Sequence, residues 1–200
     1  MRSKNLYSLV YIVSLLGLVP RVEAHPTAWK GAGIFNAFHQ PDMLQWQGLY
    51  SLERNFSLGV EYARDTMEGF EREFVLARFS WLVHRWNGKD HQANVYVTAG
   101  AGARVDGVTR LAAMTAIDAD YETRRLYFAV KGSTFVASAT RPLNMLQARA
   151  GFAPYEGGYD DIQAWLIAQA QVFPGAKQEP FRLGPVVRVF YRNVLGELGV

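Results

Sequence analysis

The stretch TAIDADYETRRLYFAVKG, residues 115–132, has the clearest alternation of polar and apolar residues in this chain. Acidic side chains occupy alternate positions, at Asp118, Asp120 and Glu122, and the residues between them are apolar or aromatic. Successive side chains of a β-strand point to opposite faces, so this pattern predicts a strand with one charged face and one apolar face.

The residues that follow repeat the pattern in the return direction. A hairpin that turns at 123–124 would place Glu122 opposite Arg125, Asp120 opposite Tyr127 and Asp118 diagonal to Lys131. Charged residues then share one face with other charged residues, while the apolar residues of both strands share the other. The stretch therefore predicts an antiparallel hairpin with two chemically different faces.

The same period of two continues along the chain. The spacing of one strand and turn, about 15 to 18 residues, is typical of an antiparallel meander of ten to twelve strands. The Asn87-Gly88 pair is a hairpin signal, because both residues tolerate the positive φ angles of a tight turn. One segment, 161–173, also permits a helix capped by Asp160. The predicted strands are 31–38, 43–52, 57–64, 74–85, 93–104, 113–122, 125–138, 144–155, 161–173, 181–192 and 193–200.

The first 24 residues have the pattern of a cleaved secretory signal peptide. Arg2 and Lys4 give a positive start, residues 6–19 are apolar, and residues 22–24 offer a cleavage site before His25. The run is too short for a comfortable spanning helix, and no later stretch is long and apolar enough for one. We therefore expect a mature domain over residues 25–200 and no helical membrane anchor.

The composition of the chain limits the classes of partner that we expect it to bind. The whole chain has a net charge of +3, but removal of the leader lowers this to about +1. Lysines and arginines are scattered among acids, so no nucleic-acid partner is expected. The chain has no cysteine, so an exported form would depend on a large core or a membrane for its stability.

Two architectures fit strands with one polar and one apolar face. A soluble sandwich or lipocalin-like barrel directs the apolar face inward. A transmembrane barrel directs it outward to lipid and keeps a polar interior. Strands of about ten residues, with aliphatic positions in the middle and aromatic residues near the ends, favour the transmembrane form.

In this alternation and hairpin spacing, residues 29–200 resemble the small outer-membrane β-barrel proteins of Gram-negative bacteria. The resemblance implies an all-β, antiparallel up-and-down barrel in the cell outer membrane, a monomer inserted by the barrel-insertion machinery. The chain departs from the family pattern in ending NVLGELGV, without a terminal aromatic residue. Either a final strand is missing or the insertion signal is atypical, and an odd or unclosed barrel is expected to leave an edge exposed to lipid.

Charged residues on the polar face are the candidate site. They could line a pore or bind a polar ligand, or they could form a plug of salt bridges that fills a narrow barrel, which is the interpretation we favour. No catalytic residues are assigned, since Ser80 and His84 share a face but lie about 13 Å apart. The predicted lumen-lining charges are Arg78, Asp118, Asp120, Glu122, Lys131, Arg149 and Arg188.

Two further motifs each allow a functional and a simpler interpretation. His25, as the first mature residue, could chelate copper or zinc through its α-amine and imidazole, with His39 or an acid completing the site, although an incidental role is the simpler interpretation. Gly100, Gly102 and Gly107 superficially resemble a phosphate loop, but no Lys-Ser/Thr pair follows them and no helix pattern begins, so they are interpreted as strand glycines. No other cofactor is expected.

The function predicted from these observations is non-enzymatic, a structural or small-solute-handling role in the envelope. A secreted or periplasmic lipocalin-like barrel that binds a hydrophobic ligand is the alternative. A barrel-embedded lipid hydrolase is the second alternative.

Overall fold

The computed structural model describes residues 25–67, 71–107, 109–138, 140–158, 160–177, 179–191 and 194–199. The predicted signal peptide lies outside these residues. No helix within them is long and apolar enough to cross a bilayer. The strands are β1 Gly33–Gln40, β2 Met43–Glu53, β3 Phe56–Asp65, β4 Arg72–Asn87, β5 His91–Arg104, β6 Arg110–Thr123, β7 Leu126–Ala137, β8 Leu143–Phe152, β9 Gln163–Val172, β10 Phe181–Tyr191 and β11 Val194–Gly199.

The eleven strands form one closed barrel. Each strand pairs with the next in antiparallel fashion, and β11 closes the ring on β1 as a parallel pair, with Ala37 opposite Gly196. An odd number of alternating strands can close only through one such parallel pair. The expectation that an odd barrel leaves an exposed edge was therefore wrong, and the helix considered over 161–173 is the strand β9.

The strands are strongly tilted. Followed once round the ring, the pairing register is displaced by about 14 residues along β1, which corresponds to a tilt of about 45° for eleven strands. At that tilt a ten-residue strand such as β3 rises about 23 Å along the barrel axis. This height is close to the lipid-facing band of about 25 Å in membrane barrels.

The apolar faces point outward. Leu58, Val60, Leu126, Phe128 and Val187 are all exposed on the exterior. The alternate positions, which carry most of the charged and amide side chains, point into the barrel and are largely buried. The structure thus places apolar side chains on the outside of the barrel and polar side chains on the inside, which is the reverse of the arrangement in a soluble barrel.

The hairpin between β6 and β7 differs in register from the prediction. Glu122 pairs with Tyr127, and Asp118 lies directly opposite Lys131. The reason is the turn: the backbone amides of Arg125 and Leu126 both donate to the Thr123 hydroxyl oxygen, which makes the loop longer than two residues. The shift is by two positions, so the predicted faces are preserved.

The hairpin between β4 and β5 forms, but not through positive φ angles at Asn87 and Gly88. The Gly88 amide donates to the His91 carbonyl oxygen at 2.9 Å, so the turn is centred on Lys89 and Asp90. A Cβ at Gly88 would lie 2.1 Å from the His91 ring, so any other residue here requires that exposed ring to move.

A β-bulge in β4 reverses the facing near its end. The register jumps between Leu82 and His84, so Val83 is inserted without a partner. Leu82 is buried, whereas His84 lies on the exterior with its ring 4.2 Å from that of Trp86. The prediction that Ser80 and His84 share a face was therefore wrong.

The two ends of the barrel differ. We call the end that carries residues 25–32 and the turns after β2, β4, β6 and β8 the mouth, and the opposite end, with the turns after β1, β3, β5, β7 and β9, the floor. Near the mouth, aromatic side chains cluster on the exterior: Phe56 stacks on Phe79 and Trp81, and Tyr121 pairs across the strands with Phe128.

Candidate functional site: the luminal chamber

The interior holds a cavity of ≈ 630 Å³, which we call the chamber. Its walls run from Arg124 and Asp161 at the mouth to Gln40, Met43 and Gln171 in the floor half. All seven of the charged residues singled out from the sequence lie in its wall: Arg78, Asp118, Asp120, Glu122, Lys131, Arg149 and Arg188.

One buried carboxylate holds two of these arginines. Glu197 on β11 accepts hydrogen bonds from Arg149 at 2.8 Å and from Arg188 at 2.5 Å. Arg188 also lies over the Tyr127 ring, 4.2 Å from its centroid, and Arg149 donates to Gln169 at 2.8 Å. Strands β7 to β11 are thus tied together across the lumen by a single ionic cluster, which is largely shielded from water.

Arg78 belongs to a second cluster on the opposite wall. It forms a buried ion pair with Glu61 on β3 and donates to Ser80 at 3.2 Å. The Ser80 hydroxyl lies 3.2 Å from that of Thr98 on β5. The two charged groups of this cluster, Arg78 and Glu61, neutralise each other. The cluster therefore stabilises the barrel wall and presents no unpaired ion to a ligand.

The three acids of β6 are held less tightly. Asp120 accepts from Asn94 at 2.7 Å, and Glu122 lies 3.0 Å from the His25 ring. Asp118 has Lys131 at 3.8 Å, which is longer than a hydrogen bond. The acids of β6 are therefore held by weaker contacts than the close arginine pairs of Glu61 and Glu197.

The segment that precedes β1 folds across the mouth. His25 is buried and stacks on Tyr96 with ring centroids 5.9 Å apart. The Ala28 amide donates to the Ser51 hydroxyl at 2.8 Å, and the Ser57 hydroxyl donates to the Pro26 carbonyl. These contacts fasten the segment to the inner side of β2 and β3.

The surroundings of His25 bear on the metal hypothesis. One ring nitrogen faces Asp120 at 3.6 Å and the other faces Glu122 at 3.0 Å, while His39 is exposed on the outer face of β1 and does not join them. Within the described residues, no group of three or more histidines and acids is placed to hold a metal ion. Copper or zinc chelation by the α-amine of a mature His25 stays a prediction.

Apolar side chains close the floor. Phe74, Phe135 and Phe173 are buried together with methionines and small residues from β3, β6 and β8. None of the three phenylalanines lines the chamber, and neither do the described residues of the turns after β5, β7 and β9. In the described part of the chain the chamber is therefore a pocket that opens toward the mouth, not a channel through the barrel.

Several polar atoms in the chamber wall have no hydrogen-bond partner among the described residues. Each lies in a side chain that is buried or mostly buried, so each carries a desolvation cost that a partner would offset. They are Asn36 Oδ1, Gln40 Oε1, Asp118 Oδ2, Trp165 Nε1 and Gln171 Oε1.

The serine and histidine that a hydrolase would use, Ser80 and His84, do not lie together. Ser80 is buried in the lumen with Arg78 and Thr98, while the bulge puts His84 outside. Gly100 and Gly102 lie within β5, as strand glycines. Gly107 lies in the turn after β5 with a φ of 136°, so the strand interpretation was wrong at this position. A Cβ on Gly102 would lie 2.1 Å from the Val75 carbonyl oxygen, so this position lets β4 and β5 approach closely.

The sequence interpretation missed the partner acids Glu61 and Glu197, the unpartnered amides and the apolar floor. The alternation of inward and outward positions along each strand contains part of the missing information. In β6 the positions that carry the acids continue backward as Ala116, Met114 and Ala112, so the inward face becomes apolar toward the floor. The arginine that pairs with each acid depends on packing across the barrel. The alternation of residues along a strand does not predict this packing.

Comparison of the chain with protein-family models, with curated proteins and with solved structures gives no match, so the fold and the chamber themselves carry the functional argument.

Proposed function

We propose that this chain is a β-barrel of the Gram-negative outer membrane that handles a small polar solute in its chamber. The observation that carries the proposal is the outward-facing apolar surface. Large apolar side chains protrude from every side of the ring, including Val60 at 56 % and Leu183 at 69 % exposure. Soluble monomers rarely expose contiguous apolar surface on this scale, whereas a bilayer solvates it.

The barrel dimensions support the same proposal. A height of about 23 Å for a ten-residue strand fits the hydrocarbon layer. Closure through the parallel β1–β11 pair leaves no open strand edge, which a bilayer would not tolerate. The exterior aromatic residues near the mouth would lie at a membrane interface. Export by a signal peptide, insertion by the barrel machinery and a monomeric state belong to this proposal.

The floor argues for binding rather than free passage. A pore needs a continuous polar path, and the buried phenylalanines interrupt it. We therefore expect no steady conductance when the purified protein is reconstituted in a planar bilayer. Long-lived single-channel steps at neutral pH would instead indicate an open pore.

A soluble, ligand-binding barrel is the second candidate, and the size of the chamber is the observation in its favour, since ligand pockets commonly enclose about 300 to 1,000 Å³. Its predicted ligand was hydrophobic, however, and the chamber wall carries many charged and amide side chains beside its apolar surface. The lipid-hydrolase candidate has less support, since Ser80 and His84 lie on opposite faces. Incubation with labelled lipid would reveal any released fatty acid.

Membrane fractionation tests the proposal directly. The protein should stay with outer-membrane fractions after carbonate or urea washing. In detergent it should also migrate differently on a gel before and after boiling, because a closed barrel resists unfolding. Recovery of folded protein in the periplasmic or secreted fraction, without detergent, would overturn the membrane location in favour of the soluble barrel.

A further inference from the structure

Residues 25–32, which we call the mouth segment, form part of the entrance to the chamber. His25 and Pro26 lie in the chamber wall. At its other end the segment is bonded to the backbone of β2, where the Gly31 amide donates to the Ser51 carbonyl at 2.8 Å and the Ser51 amide donates to the Ala32 carbonyl at 2.9 Å. The segment therefore has one end fixed to the barrel wall and one end, at His25, that reaches over the lumen.

The contacts near the fixed end do not depend on pH. The Ala28 amide donates to the Ser51 hydroxyl, and the Ser57 hydroxyl donates to the Pro26 carbonyl. Amide, hydroxyl and carbonyl groups keep their protons and their neutrality across the physiological range. Any pH-dependent fastening of the mouth segment must therefore lie at His25.

The His25 ring lies between two carboxylates. Its Nδ1 is 3.6 Å from Asp120 Oδ2, and its Nε2 is 3.0 Å from Glu122 Oε1. A neutral imidazole has one N–H group, so it can donate to one carboxylate only and directs a lone pair at the other, whereas the imidazolium donates from both nitrogens. The Gln92 amide nitrogen is farther away, 3.4 Å from both Nε2 and Glu122 Oε1. The geometry is thus complementary to the protonated ring.

The other charged and titratable groups around the ring have partners of their own. Tyr96 stacks on His25 and accepts a hydrogen bond from Arg85 at 3.3 Å. Arg188 on β10 is bound by Glu197 at 2.5 Å, and Asp118 lies two residues farther from the mouth on β6. Among these types of side chain, only an imidazole ordinarily gains or loses its proton between pH 5 and 8. His25 is therefore the group that would respond to pH in this range.

The closed position of the mouth segment also carries a cost. Thr27 is 0 % exposed, and its hydroxyl has no hydrogen-bond partner among the described residues. A buried hydroxyl without a partner is less stable than one in water, so release of residues 25–27 would recover this cost. The balance between the held and released positions is accordingly sensitive to the loss of one ionic contact.

We propose that His25 is a proton-dependent latch at the entrance of the chamber. The protonated ring binds Asp120 and Glu122 and holds residues 25–27 across the mouth. The held form binds the proton more tightly than the released form, so the contact is fully present at low pH and is lost as the pH rises and the ring becomes neutral. Residues 25–27 then leave the lumen and the entrance widens. This inference concerns access to the chamber and does not depend on which solute enters it.

Thiol labelling tests the latch, because the chain has no cysteine of its own. The variant Thr27→Cys, folded in detergent, is reacted with a neutral maleimide between pH 5.5 and pH 8. Its rate is divided by that of Lys89→Cys, in the exposed β4–β5 turn at the same end, which cancels the effect of pH on the thiol itself. The ratio should rise about tenfold or more over this range, since a tenfold difference in proton affinity corresponds to one pH unit.

The same pair of cysteines is then measured with His25→Asn, which cannot become charged. The ratio should be high at every pH, because residues 25–27 are no longer held. The substitution leaves the amino terminus of the chain as it is, so a pH dependence that persists in His25→Asn would assign the effect to another group and overturn the proposal.

A ratio that stays constant with pH when His25 is present would overturn it equally. Heat-dependent gel mobility verifies that each variant is folded, and Ala28→Cys, at a second buried position of the mouth segment, replaces Thr27→Cys if that variant does not fold. The measurement is made in detergent, so its outcome is separate from that of the fractionation that decides the membrane location.

Discussion

At Glu197 one buried carboxylate accepts hydrogen bonds from two guanidinium groups that come from other strands. The cost of bringing these charges out of water is offset only while all three remain together. The same logic applies at Arg78 and Glu61. Individual luminal residues therefore matter to stability in pairs and triplets, and removal of one member leaves the others buried without compensation.

Substitution Glu197→Gln should lower the free energy of unfolding by about 3 to 5 kcal/mol, because Arg149 and Arg188 lose their shared counter-charge. Urea titration of the protein in detergent or vesicles measures the change. Glu156→Gln is the control, since Glu156 is half exposed and 3.7 Å from an exposed Arg124, and it should shift stability by no more than about 1 kcal/mol. Similar losses of stability in both variants would contradict the stabilising role assigned to Glu197.

Gly102 tests a different property, the close approach of two strands. A methyl group there meets the Val75 carbonyl oxygen at 2.1 Å, so Gly102→Ala should destabilise the barrel by about 1 to 3 kcal/mol. Gly48 has no atom within 4 Å of an added Cβ, so Gly48→Ala should be neutral or slightly stabilising. The unfolding midpoints of the two variants are compared in the same denaturant. A lower midpoint for Gly48→Ala than for Gly102→Ala would contradict this prediction.

At the scale of the strand, sequence period and structure agree closely. All eleven strands and the separation of their apolar and polar residues onto opposite faces follow from alternation, since a residue's face depends only on its neighbours along the chain. Alternation alone does not determine which face points outward. Register does not follow from alternation either. The Thr123 turn shifts the β6–β7 pairing by two positions, and the bulge at Val83 turns His84 outward. Both depend on local hydrogen bonding that a period of two does not contain.

The parallel seam can be tested by a disulfide. Ala37 on β1 and Gly196 on β11 are directly paired, and an added side chain at Gly196 meets nothing within 4 Å. Directly paired positions fall within the Cα separations that a disulfide spans. The chain has no other cysteine, so the double variant Ala37→Cys, Gly196→Cys should cross-link under mild oxidation and change its mobility on a non-reducing gel.

Ala37→Cys with Ala168→Cys is the control for that experiment, because Ala168 faces outward on β9 and does not pair with β1. It should remain reduced. Cross-linking of the control to the same extent, or none in the seam variant, would mean that β1 and β11 are not neighbours.

At the scale of the whole molecule, the interior changes character along its axis, from a charged and amide-lined chamber to a floor of phenylalanine and methionine. Alternation predicted the charged part, and the seven residues chosen from the sequence line the chamber. The floor and the ionic partners depend on which strands face each other across the lumen. That information arises only when the ring closes with a particular tilt and strand number.

A charge on the exterior separates the membrane proposal from the soluble alternative. Val60 lies midway along β3 and is 56 % exposed. In a bilayer, Val60→Arg should cost about 2 to 4 kcal/mol, measured by unfolding from vesicles. Thr109→Arg, in the exposed turn after β5, should have little effect. If both arginines are tolerated equally, the exterior of the barrel does not face lipid.

The odd strand count has a geometric consequence of its own. Every strand reverses the path of the chain, so after eleven passages the backbone emerges on the side opposite to the one where it began: residue 33 starts at the mouth and residue 199 finishes at the floor. In an inserted barrel, epitopes fused near the two would therefore report from different compartments. Antibody access to one of them in intact cells would reveal the sidedness of the molecule, and with it the compartment that the chamber samples.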